Sequence, residues 1–249
     1  TIHLVVHPIV SVDRAAEGNL ARFQGPAKHG DGLQHESLVH IHIDLVDEPE
    51  RRQALMDGIA KVQTDVGLAT ADFEPLRARL RDAIEGRKVA DVQVPAASFQ
   101  EAVAFLEAME AGDFVLTGMR EHRLDGDTAA GDLLPLDENS LGIMRQPELR
   151  VLRHWTDFSV VTPEVREFLQ TPEPVLIAKA SVVSLIQRRT YLDYVGVKIY
   201  DDDGNVAGEL RIVGLFTSAA YTRSELNLPV LRLKARKVIA ELGFDPQTH

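Results

Sequence analysis

Residues suited to chemistry fall in three places. In His40-Ile41-His42-Ile43-Asp44 two imidazoles and a carboxylate alternate with aliphatic residues, so a strand would set His40, His42 and Asp44 on one face. Neutral imidazoles with a carboxylate are a zinc donor set. Two ligands at i and i+2 still need a third from elsewhere, and His3 and His7 reach this pair only if their strand is its neighbour. The solvated face of a half-buried strand is the better reading, and no metal site is assigned. Asp201-Asp202-Asp203-Gly204 invites calcium, but a calcium loop with Gly204 sixth needs an acid where Ile199 stands and a Glu where Leu210 stands. It reads as a hairpin turn. Lys179, Arg188, Arg189, Asp193 and Lys198 gather near Tyr191 and Tyr194. Lysine and aspartate can act as base and acid, and two arginines suit an anion. With no cofactor cradle beside them, they read as ion pairs on an antiparallel sheet.

The common fingerprints are missing. Gly30-Asp31-Gly32 supplies G-x-G without the third glycine or a helix directly after it. There is no phosphate-cradling loop and no G-x-S-x-G elbow. The chain has no cysteine, which excludes disulfides, thiolate metal sites and cysteine nucleophiles. No catalytic, cofactor-binding or metal-ligating residue is therefore assigned, and no cofactor is expected in this segment. A net charge of −11 disfavours nucleic acid and anionic membrane surfaces. No apolar run approaches the ~20 residues that span a bilayer, and no signal-peptide pattern is present. A cytoplasmic home is expected.

The elements that must position these residues follow from periodicity. Residues 2–12 read as a strand that Pro8 bends or places at an edge, and 25–33 as a Gly-rich loop. Residues 36–46 read as a half-buried strand with Val39, Ile41, Ile43 and Leu45 on the inner face. Leu55, Met56, Ile59, Val62 and Val66 predict a helix over 49–67. Leu76, Leu80, Ala83 and Ile84 predict another over 73–85. Ser98 with Glu101 reads as a capping box opening a helix that stops near Gly112. Strands are expected at 113–124, 175–187, 194–200 and 206–217, a polar loop at 125–150, and a short helix capped by Thr162-Pro163. Asn227 is expected to cap a last helix carrying Leu231, Ala235, Val238, Ile239 and Leu242. Elements mixed without regular strand–helix alternation point to an α+β fold with antiparallel sheets. The partition expected is 1–90 and 95–249. The opening at Thr1 and the abrupt end read as an excised segment.

The stretch Lys179–Tyr221 resembles a region of the large bacterial NAD-dependent glutamate dehydrogenases. The resemblance rests on Lys179-Ala180, Tyr191, Asp193-Tyr194-Val195-Gly196-Val197-Lys198, Gly204, Gly208-Glu209, Gly214-Leu215-Phe216-Thr217 and Tyr221. His7-Pro8 with Val12-Asp13-Arg14, Glu36-Ser37 with His40-Ile41, and Leu141-Gly142-Ile143 with Arg145 agree with it too. The sequence departs from the pattern at Thr190, at Thr117-Gly118-Met119-Arg120-Glu121, and at Phe105-Leu106-Glu107-Ala108. The family places its catalytic lysines and NAD-binding unit far downstream of an N-terminal part built of ACT-like and PAS-like modules.

The resemblance implies that residues 1–90 are an ACT-like, ferredoxin-like unit lacking its first strand and helix, and that 95–249 are a PAS-like domain. It implies a regulatory and assembly segment of an enzyme that oxidatively deaminates L-glutamate to 2-oxoglutarate with NAD. NAD would belong to the parent enzyme and its downstream chain. An open sheet edge implies self-association, and the family's ACT-like module leaves room for an amino-acid effector. An independent ACT- or PAS-type sensor of small molecules is the alternative.

Overall fold

The computed structural model of the chain describes residues 1–28, 30, 33–88, 94–126, 132–152, 162–223, 228–230, 232, 238–239 and 241. They divide into two compact units, Thr1–Gly58 and Ile59–His249.

In the first unit β1 (Ile2–Val6) pairs antiparallel with β5 (His40–Ile43), while β2 (Ile9–Arg14) lies between β3 (Leu20–Pro26) and β4 (Gln34–Ser37). Pro8 has no N–H to give a ladder, so the single strand expected over 2–12 is two strands in two sheets. Val10, Ser11 and Val12 of β2 are buried. Arg14 clasps Glu36 across β2 and β4 with two bonds, Nε at 2.5 Å and the other nitrogen at 2.6 Å. The half-buried strand expected at 36–46 is also divided, and its apolar face is not covered. Val39, Ile41 and Ile43 are 55%, 48% and 47% exposed. Of the Gly-rich loop, His29, Asp31 and Gly32 lie outside the described residues. α1 (Pro49–Ala71) begins here and ends in the second unit. Its apolar stripe of Leu55, Met56, Ile59, Val62 and Val66 is exposed as well.

The second unit is built on a five-stranded antiparallel sheet. Its strands are β6 (Phe114–Asp125), β7 (Asp132–Gly142), β8 (Val175–Val183), β9 (Tyr191–Tyr200) and β10 (Val206–Phe216), in the order β7-β6-β10-β9-β8. β10, paired on both sides, is buried from Gly208 to Leu215. Alternation sends Leu210 and Ile212 to one face with Val195, Val197 and Val175. There α2 (Phe73–Lys88) lays down Leu76, Leu80 and Ile84, and α3 (Ala96–Ala108) lays down Ala102, Phe105 and Leu106. Each buried Leu or Phe is worth about 1.5–3 kcal/mol against exposure. The other face holds Tyr194, Val213 and Leu215 with Ile143 and Met144. α4 (Pro163–Gln170) adds Val165 and Leu169 against Leu133.

Much of 125–150 is strand, not loop: Leu133 and Leu134 of β7 pair with Leu124 and Arg123 of β6. β7 is the sheet's outer strand, so Pro135 and the exposed polar run Asp137–Asn139 are tolerated. Ser98 caps nothing. α3 starts at Ala96 behind Pro95, and Glu101 instead receives Arg232 Nε at 2.7 Å and the Val230 N–H at 3.0 Å. The Thr162 cap is present, its hydroxyl accepting from Val165 N at 3.4 Å. The last helix expected after Asn227 lies mostly outside the described residues.

Candidate functional site

At one end of the five-stranded sheet the chain encloses a cavity of about 350 Å³, within the usual range for small-molecule sites. Its body is apolar: Phe105 and Met109 from α3 and the turn after it, Ile177 from β8, Phe216 from β10, and Leu228 and Pro229. Its polar groups are Asp113, Lys179, Asp193, Tyr221 and Arg223.

Local sequence explains how each is placed. Lys179 and Asp193 are directly opposed in the β8–β9 register, which brings Lys179 Nζ to 2.5 Å from Asp193 Oδ1. The second oxygen of Asp193 accepts the Phe216 N–H at 3.0 Å. Gly214 is required because a Cβ there would collide with the Val115 carbonyl and the Phe114 ring. That ring meets Phe216 edge-on at 4.9 Å and fixes it as a pocket wall. Gly112, at φ 106°, turns the chain from helix into β6. The Asp113 carbonyl then accepts the Thr217 N–H at 2.9 Å. Thr217 leads into the short α5 (Ser218–Tyr221), which delivers Tyr221. The Tyr221 hydroxyl lies 3.3 Å from Lys179 Nζ. Arg188 donates to the Phe216 carbonyl at 2.7 Å and stands over the Tyr221 ring at 5.5 Å, holding both. Arg223 pairs with the Asp113 carboxylate at 2.5 Å.

Burial alone would draw the Lys179 ammonium down, but Asp193 and Tyr221 outweigh it and leave its pKa above the ordinary lysine value. Lys179 is therefore a charged donor at neutral pH, not a base. Both pocket carboxylates are already bound to cations. This arrangement can hold a ligand.

Of the five charged residues singled out near Tyr191 and Tyr194, the structure brings Lys179, Asp193 and Arg188 to this end of the sheet. Lys198 goes elsewhere, donating to the Thr171 carbonyl with its ammonium 4.8 Å from the Phe168 ring centroid. Arg189 and Tyr191 are exposed, and Tyr194 is buried against Glu209. Asp113, Arg223 and the aromatic walls were not singled out. A sequence separation of 110 between Asp113 and Arg223 leaves no local signal. His40 and His42 stack edge-on at 4.7 Å on an exposed strand. Asp44 turns instead to the Thr1 ammonium and to His3 at 2.5 Å. Among the described residues no group of three His, Asp or Glu assembles as a metal site. The Asp201 carboxylate accepts from Asp203 N and Asn205 N at 3.1 and 2.8 Å, closing its own turn.

The cavity thus has the size and lining of a small-molecule site, on an α+β protein with antiparallel sheets. Comparison with known proteins gives the relationship. The family described as "Glutamate dehydrogenase, ACT1 domain" matches residues 1–59. An NAD-specific glutamate dehydrogenase of Halomonas elongata is 32% identical over 252 residues, covering all of this chain and 15% of that protein. One of Pseudomonas aeruginosa is 31% identical over 253 residues, again 100% and 15%. One of Mycobacterium tuberculosis is 23% identical over 243 residues, 97% and 14%. The chain is therefore similar along its full length to the large NAD-specific glutamate dehydrogenases, its first 59 residues match their ACT1 family, and it spans about 15% of the length of these relatives.

Proposed function

We propose that this chain is a non-catalytic regulatory and assembly segment, from the N-terminal region of a large NAD-dependent glutamate dehydrogenase. The observation that carries the proposal is the full-length match of this chain to about 15% of such enzymes. The parent would oxidatively deaminate L-glutamate to 2-oxoglutarate with NAD. Its chemistry would lie in the remainder of the parent chain, which is this segment's first partner.

Residues 1–90 are read as an ACT-like, ferredoxin-like unit lacking its first strand and helix, and 95–249 as a PAS-like domain. Support for assembly comes from apolar side chains left uncovered in the first unit: Ile2 and Val5 of β1 are 63% and 55% exposed, and Ile41 and Ile43 of β5 are open beside them. Contiguous apolar patches of this kind mark interaction surfaces, and a second copy of the chain is the occupant proposed. Among the described residues no helix is long and apolar enough to cross a membrane. A cytoplasmic location is proposed with the rest.

Regulation would be a coupling free energy between an effector on this segment and the distant catalytic site. Exchanging residues 1–249 for the matching segment of the Pseudomonas aeruginosa relative tests this. The effector response should travel with the segment while the unliganded kcat stays. A response that remains with the recipient enzyme overturns the proposal. The pocket favours a second reading, an amino-acid or other small-molecule sensor acting independently. It predicts ligand binding with no effect on any attached dehydrogenase.

A further inference from the structure

We propose that the cavity between α3, β8, β10 and α5 binds a small carboxylate with an apolar body, and that it prefers such an acid to the corresponding amino acid. This inference rests on the regulatory reading above and specifies its ligand.

At the polar end of the cavity unused donors outnumber unused acceptors. Lysine carries three N–H donors and arginine five, with no acceptor on either. Lys179 directs one donor to Asp193 and one towards Tyr221, which leaves a third. When Tyr221 accepts from Lys179, its own O–H is free to donate. Arg223 spends one bond on Asp113 and keeps the rest of its fork. The two carboxylates each already neutralise a cation. Asp193 accepts Lys179 on one oxygen and the Phe216 N–H on the other, and it is 3% exposed. Asp113 is 8% exposed and paired with Arg223. The open valences at the polar end are therefore mostly donors, with Asp113 Oδ1 the one carboxylate oxygen left over, and a carboxylate satisfies those donors with charge-assisted bonds. An α-ammonium finds only carboxylates that already neutralise cations.

The rest of the ligand must match Phe105, Met109, Ile177 and Phe216, which is hydrocarbon and ring surface. Since each cation is balanced by its own carboxylate, an anion gains hydrogen bonds more than net Coulomb attraction. That gives an affinity weak enough to follow changing concentrations.

The test is calorimetric titration of the 249-residue chain with 3-phenylpropionate, 3-phenylpropanamide and L-phenylalanine. Saturable binding of the acid is expected, with the amide and the amino acid each weaker by about tenfold or more, the loss of one hydrogen bond to a charged group. Tyr221→Phe and Arg223→Gln change half-exposed groups outside the core and should each weaken the acid by about tenfold. Ala108→Leu, which fills the cavity from α3, should abolish binding while far-UV circular dichroism stays unchanged. Equal binding of acid and amide overturns the proposal. So does tighter binding of L-phenylalanine, binding indifferent to Ala108→Leu, or no saturation below about 10 mM, a standard free energy of only about −3 kcal/mol. These outcomes concern the pocket alone. The regulatory reading fails separately, through the segment exchange.

Discussion

His122 predicts how the second unit responds to acid. It lies on β6, 3% exposed, on the same sheet face as Arg120 and opposite Glu209 of β10. Its Nδ1 has no hydrogen-bond partner among the described residues. Burial, then the neighbouring positive charges of Arg211 and Arg120, push its pKa from 6.5 down to about 2. The folded imidazole therefore stays neutral while the unfolded one takes up a proton below about pH 6.5. The folded pKa is depressed, so the stability is present in full above the unfolded value and falls as the pH drops towards the folded one. At about 1.4 kcal/mol for each pH unit below 6.5, the loss by pH 5 is about 2 kcal/mol. Ordinary carboxylates, with unfolded pKa values of about 4, contribute little in that window. Urea unfolding followed by far-UV circular dichroism at pH 7 and pH 5 measures it. The native chain should lose about 2 kcal/mol more than His122→Gln does over the same interval. Equal losses, or an imidazole seen by NMR to protonate in the folded state near pH 6, would refute the reasoning.

Three further substitutions are predicted together. Gly196→Ala places a Cβ against the Glu209 carboxylate and the Tyr194 ring and hydroxyl, and should cost about 1–3 kcal/mol in thermal or urea unfolding. Glu209→Gln removes the charge that sits between the Tyr194 hydroxyl and Arg211 Nε at 2.9 Å in a fully buried position, and should cost about 3–5 kcal/mol. Asp72→Asn weakens a carboxylate that holds both Arg145 and the Gly142 N–H, and should cost about 2 kcal/mol at pH 7. The Arg145 bond holds the Asp72 pKa below its ordinary value. This contribution is therefore complete above about pH 4 and is lost as the pH falls further, so the Asn variant should flatten the acid limb of the native profile.

The sequence announces some of this architecture and conceals the rest. β8, β9 and β10 were legible because each is a run rich in aliphatic and aromatic residues and Asp201–Asn205 carries turn chemistry in its own side chains. β7 was not, since an outer strand needs only one bonded edge and one covered face, which lets Pro135 and Glu138 pass as loop. Ser98 and Glu101 have the spacing of a cap, but Glu101 is held by Arg232, and no local rule sees a partner 131 residues away. In the first unit the alternation at 39–45 correctly marks an apolar face but does not say what covers it. At the pocket, Lys179 and Asp193 stood out by residue type. Their pairing is a property of the β8–β9 register, and Asp113 with Arg223 exists only once the sheet and α5 have formed.

The central claim is that this chain serves a catalyst without being one. It is tested most directly by incubating the purified 249-residue chain with L-glutamate and NAD and following absorbance of the reduced nicotinamide. The account predicts no formation above the buffer blank. Sustained glutamate-dependent reduction in proportion to the chain's concentration would contradict it.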